Sequence, residues 1–221
     1  MQELLLFQKI EQASEPLDEW FWRFYSFAKL NRYQKGRMIM ENKIRRIDRK
    51  LEFKGVIVDF YTDYMQMPDG KVVKWDFISH RKGAAAVVPV MDDGRILMVH
   101  QYRNALERMT VEIPAGARDY ISEDTKVCAA RELEEETGYR SDDVEFLISL
   151  KPTVAYDNEF IDIYVARNLK PGVQHLDQYE FIELEAIELD VLCERIYAGE
   201  IQDGKTVAAI MAYKNKYGNA K

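Results

Sequence analysis

The feature that most restricts the fold and chemistry of this chain is a cluster of acids between Glu123 and Tyr139. The segment from Arg131 reads Arg-Glu-Leu-Glu-Glu-Glu-Thr-Gly-Tyr. On a helix, Glu132, Glu135 and Glu136 share one face, because they are spaced i, i+3 and i+4. Each like-charged pair costs roughly 0.2–0.5 kcal/mol. A hard divalent cation such as Mg²⁺ offsets that repulsion through oxygen ligands, so the spacing predicts a helix with a metal-binding face.

The flanking residues also favour a helix. Ser122 is the predicted N-cap, and the acids Glu123 and Asp124 suit the positive end of the helix dipole. Gly138 is predicted to end the helix, since it tolerates a left-handed conformation. Arg131 precedes Glu135 by four residues and can brace it. The alternative is a solvated acidic helix face, which most runs of glutamate form. The fixed spacing of Glu123, Arg131 and the later acids argues against that alternative.

Composition limits the class of protein. The chain has 221 residues, 47% of them hydrophobic, which suits one full core with at most a small appended unit. The net charge of −7 disfavours general nucleic-acid binding. The two cysteines, Cys128 and Cys193, are interpreted as packing residues, which with the absence of a signal-peptide pattern predicts a reducing, cytoplasmic setting. No segment approaches transmembrane length.

The N-terminal residues 1–40 are predicted to be helical and are rich in aromatic side chains between Trp20 and Phe27. Packing on the chain itself or on a second subunit is favoured over a membrane surface, because acids lie among the aromatics. Residues 29–54 are locally basic, and most of their cations are interpreted as solvated.

Strands follow from about Ile44. Residues 56–61 and 72–78 flank the turn Pro68-Asp69-Gly70 and predict an antiparallel hairpin. Residues 84–90 form a nearly continuous apolar run, typical of a buried strand. Further strands are predicted at 96–102, 146–150, 161–166 and 181–184, and helices at 189–198 and 206–213. This order predicts a mixed-sheet α/β sandwich.

The segment from Gly116 to Tyr139 resembles the Nudix box, the signature of hydrolases of nucleoside diphosphates linked to another group. That pattern is G-x5-E-x7-R-E-U-x-E-E-x-G-U, where U is aliphatic or bulky. Two departures occur here. Six residues instead of five separate Gly116 from Glu123, and Tyr139 replaces the usual aliphatic residue. The insertion lies in the loop before the helix, where it is easily absorbed.

Two further motifs narrow the resemblance. Gln101-Tyr102-Arg103, followed by the Glu-Ile-Pro-Ala-Gly run that starts at Glu112, is similar to the ADP-ribose pyrophosphatase subgroup. The resemblance implies a Nudix α/β/α sandwich over residues 83–221. It also implies a small antiparallel β subdomain before that domain, which makes the protein a homodimer. Residues 1–82 are thus predicted to hold this subdomain and an N-terminal helical extension that the resemblance does not cover.

The resemblance implies a set of site residues. Glu132, Glu135, Glu136 and the backbone carbonyl of Ala115 are expected to hold Mg²⁺, with Mn²⁺ as a substitute. The substrate phosphates are expected to contact Gly116, which allows close backbone approach, and Arg103, whose guanidinium suits bidentate contact. The alternative for Arg103 is an arginine at a strand end that binds no ligand. Arg131 is interpreted as structural.

The general base is expected to be Glu159, in the loop between two predicted strands. Glu135 is the reserve candidate, Asp157 is the third, and a solvated loop acid is the alternative for Glu159. The three histidines, at 80, 100 and 175, show no metal-ligand spacing and receive no chemical role.

The expected reaction is Mg²⁺-dependent hydrolysis of the pyrophosphate bond of a nucleoside diphosphate sugar. ADP-ribose is the first-choice substrate. One departure keeps the substrate open: the Ser-Pro-Gly common before the loop acid is replaced by Val154-Ala155-Tyr156. The alternatives are another derivative such as GDP-mannose, and a nucleotide-sugar-binding module without catalysis. The non-catalytic module is disfavoured because all the acids that are expected to bind the metal are present.

Overall fold

The computed structural model describes residues 44–176 and 178–218. The predicted aromatic helix in residues 1–40 lies outside this part of the chain. Contacts divide the chain into two compact units, one of residues 1–50 and 63–75 and the other of residues 51–62 and 76–221. All site residues discussed below belong to the second unit. The predicted boundary between residues 82 and 83 stays a prediction.

Three strands come first: β1 (Arg45–Lys54), β2 (Val58–Gln66) and β3 (Val72–His80), in the order β1-β2-β3. The turn between β2 and β3 contains Gly70 at a φ of 85°. Its amide donates to the Met67 carbonyl, so the hairpin predicted around Pro68-Asp69-Gly70 is confirmed.

A four-stranded mixed sheet supports the site. It has the order β7-β4-β10-β9, from β4 (Ala84–Pro89), β7 (Ala115–Ala117), β9 (Asp143–Leu150) and β10 (Ile161–Arg167). β10 runs parallel to β4, whereas β9 and β7 pair antiparallel with their neighbours. All six residues of β4 are buried, which confirms the buried strand predicted from the apolar run.

A second sheet has the order β12-β5-β6, formed by β5 (Ile96–Arg103), β6 (Arg108–Glu112) and β12 (Ile182–Ile187). A two-stranded pair joins β8 (Tyr139–Arg140) and β11 (Lys170–Pro171). Three helices occur among the described residues: α1 (Thr125–Thr137), α2 (Leu189–Tyr197) and α3 (Gly204–Tyr217). The strands β6, β7, β8 and β11 were not predicted, and they are short.

The residues of β4 alternate between two apolar clusters, because successive side chains of a strand point to opposite faces. Ala85 and Val87 pack with α1 residues such as Leu133. Ala84, Ala86 and Val88 pack in the cluster that contains Leu192 of α2 and Ile210 of α3. Helices therefore cover both faces of this sheet, as the predicted sandwich requires. No helix in the described part of the chain is long and apolar enough to cross a membrane.

Candidate active site

Helix α1 carries the acid cluster, and it begins later than predicted. Asp124, not Ser122, is the N-cap, and its carboxylate accepts a 2.8 Å hydrogen bond from the Lys126 amide. Asp124 is the N-cap because its carboxylate oxygen accepts from the otherwise free amide two residues later, which is the contact that defines an N-cap. The end is as predicted: Gly138 has a φ of 70° and its amide donates to the Glu134 carbonyl.

Glu132 and Glu136 turn inward from α1 against strand β7. The Ala115 amide donates to Glu136 Oε2 at 3.0 Å. A Cβ placed on Gly116 would lie 2.2 Å from Cδ and Oε1 of Glu132. The absence of a side chain at position 116 therefore makes room for the Glu132 carboxyl group. This reason differs from the one expected from the sequence, which was close approach of the substrate.

Both carboxyl groups are almost fully buried, with exposed fractions of 8% for Glu132 and 3% for Glu136. Burial raises the pKa of Glu132 to about 7, although the adjacent Arg131 acts to lower it. Burial also raises the pKa of Glu136 to about 8, and the negative charge of Glu132 adds to this effect. The raised pKa values mean that the surrounding residues do not supply enough positive charge to keep both carboxyl groups ionised near neutral pH.

Arg131 organises the remaining acids. Its Nη1 donates to Oε1 of Glu132 and to Oε2 of Glu135, both at 2.7 Å, and its Nη2 donates to the Ala117 carbonyl at 3.0 Å. Its Nε lies 3.4 Å from Glu123, which precedes the helix. The predicted bracing of Glu135 is confirmed, and Arg131 also links the helix to the preceding loop.

The arrangement brings Glu132 and Glu136 together at β7 and holds Glu135 towards Arg131. Within the described residues, no group of three or more His, Cys, Asp or Glu side chains is arranged to hold a metal ion. The donor set itself suits a hard divalent cation, because it consists of carboxyl oxygens that a cation would keep ionised in a buried site. The metal-ligand roles of Glu132, Glu135, Glu136 and the Ala115 carbonyl stay predictions.

Arg103 ends β5 and contacts a buried acid that the sequence analysis gave no role. Its Nε and Nη2 donate to the two oxygens of Glu112, at 2.7 and 2.6 Å. Lys205 of α3 donates to the same carboxylate, and Thr110 donates to it at 2.7 Å. Lys205 lies 93 residues from Glu112 in sequence, so no local pattern indicated this contact.

Glu159 lies in a loop fixed to β3. The Ile78 amide donates to the Tyr156 carbonyl at 2.7 Å, and the His80 amide donates to Asn158 Oδ1 at 2.8 Å. His80 Nε2 lies 3.5 Å from Oε1 of Glu159. His80, which received no chemical role from the sequence, therefore lies beside the predicted base. Burial raises the pKa of Glu159, opposed by the field of His80.

Glu180, in the loop before β12, is a further acid that the sequence analysis missed. Its negative charge acts to raise the pKa of both Glu132 and Glu136. The loop after β11 approaches α1 directly, since Gln174 Nε2 donates to the Glu136 carbonyl at 2.6 Å. Glu180, in the same connection between β11 and β12, therefore lies close enough to act electrostatically on the buried acid pair.

The sequence matches a known domain family and several known proteins. The model of the NUDIX domain matches residues 80–210. The chain is 40% identical over 160 residues to a methanol dehydrogenase activator of Bacillus methanolicus, covering 72% of this chain and 85% of that protein. It is 35% identical, with the same coverage, to an ADP-ribose pyrophosphatase of Bacillus subtilis (strain 168).

A third relative is an ADP-ribose pyrophosphatase of Mycobacterium tuberculosis (strain ATCC 25618 / H37Rv), 30% identical over 72% of this chain and 77% of its own length. Among solved structures, an ADP compounds hydrolase superposes with a TM-score of 0.73. That match covers 80% of this chain and 95% of the other at 19% identity. This likeness confirms the predicted fold class.

Proposed function

Because this chain belongs to the NUDIX family and is a hydrolase of pyrophosphate bonds, we propose that its substrate is a nucleoside diphosphate sugar, with ADP-ribose as the first candidate. The products would be AMP and ribose 5-phosphate. The proposal is supported by relatives named ADP-ribose pyrophosphatase at 30% and 35% identity. The motifs around Arg103 and Glu112 support the same subgroup.

The observation that carries the proposal is the buried pair Glu132 and Glu136 beside Gly116. Two nearly buried carboxyl groups without full neutralisation call for a cation, and their oxygens fit Mg²⁺ or Mn²⁺. The proposed ligands are Glu132, Glu135, Glu136 and the Ala115 carbonyl. When bound, the cation would supply positive charge that neutralises phosphate oxygens and makes the attacking water easier to deprotonate.

The chain's own residues divide the remaining tasks. Arg103 is proposed to orient the diphosphate and Gly116 to contact it, while Arg131 holds α1 to the loop before it. An acid must take the proton of the attacking water. Glu159 is the proposed base, with Glu135 in reserve. Glu180 joins them as a candidate because its charge acts on the buried acid pair.

The test is hydrolysis of a nucleotide-sugar panel with Mg²⁺, with Mn²⁺ and with a chelator. Alkaline phosphatase added in excess releases phosphate from the monoester products but not from the intact diphosphate. ADP-ribose is expected to give the highest kcat/KM, and activity is expected to disappear with the chelator. Chromatography that finds no cleavage of any panel member would contradict the proposal and favour a binding module.

GDP-mannose is the second candidate substrate. A GDP-mannose pyrophosphatase of Cronobacter sakazakii (strain ATCC BAA-894) is 28% identical over 63% of this chain and 78% of its own length. The replacement of the usual Ser-Pro-Gly by Val154-Ala155-Tyr156 is also compatible with a substrate other than ADP-ribose. A separate assay with purified methanol dehydrogenase would test whether the effect that names the Bacillus methanolicus relative extends to this chain.

A further inference from the structure

Lys205, the second residue of α3, is an almost buried cation. Its side chain is 10% exposed. The ammonium donates to Glu112 and, at 2.9 Å, to Asp203 Oδ2. An ammonium group has three N–H donors, and in the described part of the chain only these two acceptors contact it. One donor is thus left for a ligand.

Helix α3 is also docked by a contact that does not involve Lys205. Asp203 caps the helix by accepting from the Thr206 amide at 2.9 Å and from the Thr206 hydroxyl at 2.6 Å. The same hydroxyl accepts a 3.0 Å bond from the Ile113 amide, which ties α3 to the residue after β6. Thr206 is fully buried. The helix is therefore joined to its neighbour by a neutral, satisfied contact, and the buried lysine calls for a separate reason.

The charge of Lys205 acts on the candidate active site from the side of α3. Its ammonium contacts Glu112 at the end of β6. Glu112 lies three residues before Ala115, whose amide donates to Glu136 Oε2 of α1 at 3.0 Å. The ammonium group therefore lies beside the segment that leads from Glu112 to the buried acids.

Glu112 holds this ammonium beside Arg103. Burial opposes ionisation of Glu112, but bonds from Arg103, Lys205 and Thr110 outweigh that effect and lower its pKa to about 2. The Arg103 side chain is 40% exposed. Its Nε and Nη2 are used by Glu112, and Nη1 has no partner among the residues the structure describes. Arg103 and Lys205 therefore bind the same buried carboxylate, Glu112, and each has one donor group without a partner among the described residues.

We propose that Lys205 binds a phosphoryl oxygen of the diphosphate substrate, and that Glu112 is a positioning residue that holds Lys205 next to Arg103. The inference rests on the proposed function, since it requires a diphosphate in the site. The lysine ammonium group is a common hydrogen-bond donor to phosphate oxygens. Burial strengthens its electrostatic attraction to an anion. The competing explanation is that Lys205 only neutralises Glu112 and Asp203 within the fold.

The experiment compares Lys205→Met with the native protein. Methionine keeps the length of the side chain and removes the charge. Binding is measured by calorimetry without divalent cation, using the α,β-methylene analogue of ADP-ribose, which cannot be hydrolysed, and using adenosine. The affinity for the methylene analogue is expected to fall about tenfold to hundredfold, the loss for one charge-assisted hydrogen bond. The affinity for adenosine, which has no phosphate, should stay unchanged.

The matched control is Lys214→Met on the same helix. Lys214 pairs with Asp190 at the surface, at 2.9 Å, so its removal should change neither affinity. Lys205→Arg keeps a cation of different shape, and its affinity for the methylene analogue should lie between those of the native protein and Lys205→Met. If Lys205→Met does not fold, a threefold or greater weakening in Lys205→Arg supports the inference.

Two results would overturn it. One is a folded Lys205→Met protein that binds the methylene analogue as tightly as the native protein, even if its melting temperature is lower. The other is native affinity in Lys205→Arg when Lys205→Met cannot be obtained. If the native protein neither binds the methylene analogue nor cleaves any nucleotide sugar, the proposed function fails and this inference fails with it.

Discussion

At the scale of single residues, the chemistry depends on where charge is buried. Glu132 and Glu136 are buried with raised pKa values, whereas Glu112 is equally buried with a lowered one. The difference lies in the partners. Glu112 accepts bonds from two cations and a hydroxyl, Glu132 accepts from one cation, Arg131, and Glu136 has one backbone amide as its direct donor among the described residues. Glu132 and Glu136 are therefore the proposed metal ligands, whereas Glu112 is an anchor for two cations.

Glu136→Gln is expected to lower kcat by two or more orders of magnitude while the protein stays folded. Glutamine keeps the size of the side chain and an oxygen that accepts from the Ala115 amide, but it removes the charge that a cation requires. The control is Glu134→Gln on the same helix, whose side chain is half-exposed and lies 3.5 Å from Arg140. Near-native turnover in a folded Glu136→Gln protein, measured by steady-state kinetics, would refute the metal assignment.

Gly116→Ala is expected to impair activity strongly, although alanine is only one methyl group larger. The added Cβ would meet the Glu132 carboxyl group at 2.2 Å, so either α1 or the Glu132 side chain must move. A displacement of about 1 Å can cost about a hundredfold in rate. Gly204→Ala is the control for replacing glycine, because a Cβ there meets no atom within 4 Å and the backbone does not have a positive φ. Equal kcat/KM values for the two variants would contradict this reading of position 116.

Glu112 should make stability depend on pH. Its pKa is about 2 in the folded protein and near 4.5 when unfolded, so its contribution is fully present above pH 4.5 and is lost as pH falls towards 2. The contribution is on the order of 3 kcal/mol. Urea unfolding at pH 7 should therefore show Glu112→Gln to be destabilised. The difference from the native protein should shrink between pH 4.5 and 3, and a constant difference over that range would contradict the prediction.

At the scale of elements, the site is assembled from one helix and the loops that approach it. Helix α1 supplies the acids Glu132 and Glu136, and β7 provides the surface they pack against. Strand β5 and helix α3 supply the cations Arg103 and Lys205, and β6 ends in the acid Glu112 that both cations contact. Two loops bring further acids: the loop before β10 carries Glu159, and the loop before β12 carries Glu180. The loop of Glu159 is hydrogen-bonded to β3, so Glu159 has a fixed backbone position.

The identity of the general base can be tested with Glu159→Gln, Glu180→Gln and Glu135→Gln. Loss of a base from an intact metal site should lower kcat by about 10²–10⁴ with little effect on Mg²⁺ affinity. We expect this result for one of the two loop acids. If both loop variants lose less than tenfold while Glu135→Gln abolishes turnover without weakening Mg²⁺ binding, the base belongs on α1.

At the scale of the whole molecule, the N-terminal strands expose apolar side chains. Phe53 of β1 is 67% exposed, and Val72 and Trp75 of β3 are 50% and 48% exposed. A strand-rich segment of this size is too small to be stable alone. The sequence and the resemblance predict that it mediates a homodimer in which the sheet of one protomer completes the site of its partner.

Sedimentation velocity should therefore find a dimer at assay concentrations. Phe53→Glu should shift the protein towards monomer, because a buried unpaired charge is costly at an apolar interface, and specific activity should fall with it. Tyr197→Glu, at a side chain that is 78% exposed at the end of α2, is the control. A fully active monomer of the native protein would rule out a shared site.

Much of this architecture follows from the sequence alone. The spacing of Glu132, Glu135 and Glu136, the glycine at 138 and the apolar run of β4 predicted α1, its end and the buried strand. These features could be predicted because helix faces and strand burial depend on residues only a few positions apart. The family resemblance followed from the same local spacing and is confirmed by the comparisons.

Only the tertiary structure decided how the charges are partnered. The contact of Glu112 with Lys205 and the proximity of His80 to Glu159 join residues 93 and 79 positions apart. The need for Gly116 comes from a carboxyl group on another element. Such contacts depend on how strands pair in register and how helices dock, and neither is encoded in the spacing of neighbouring residues. The sequence therefore determined which groups can carry the chemistry, and the packing of distant segments determined which of them meet.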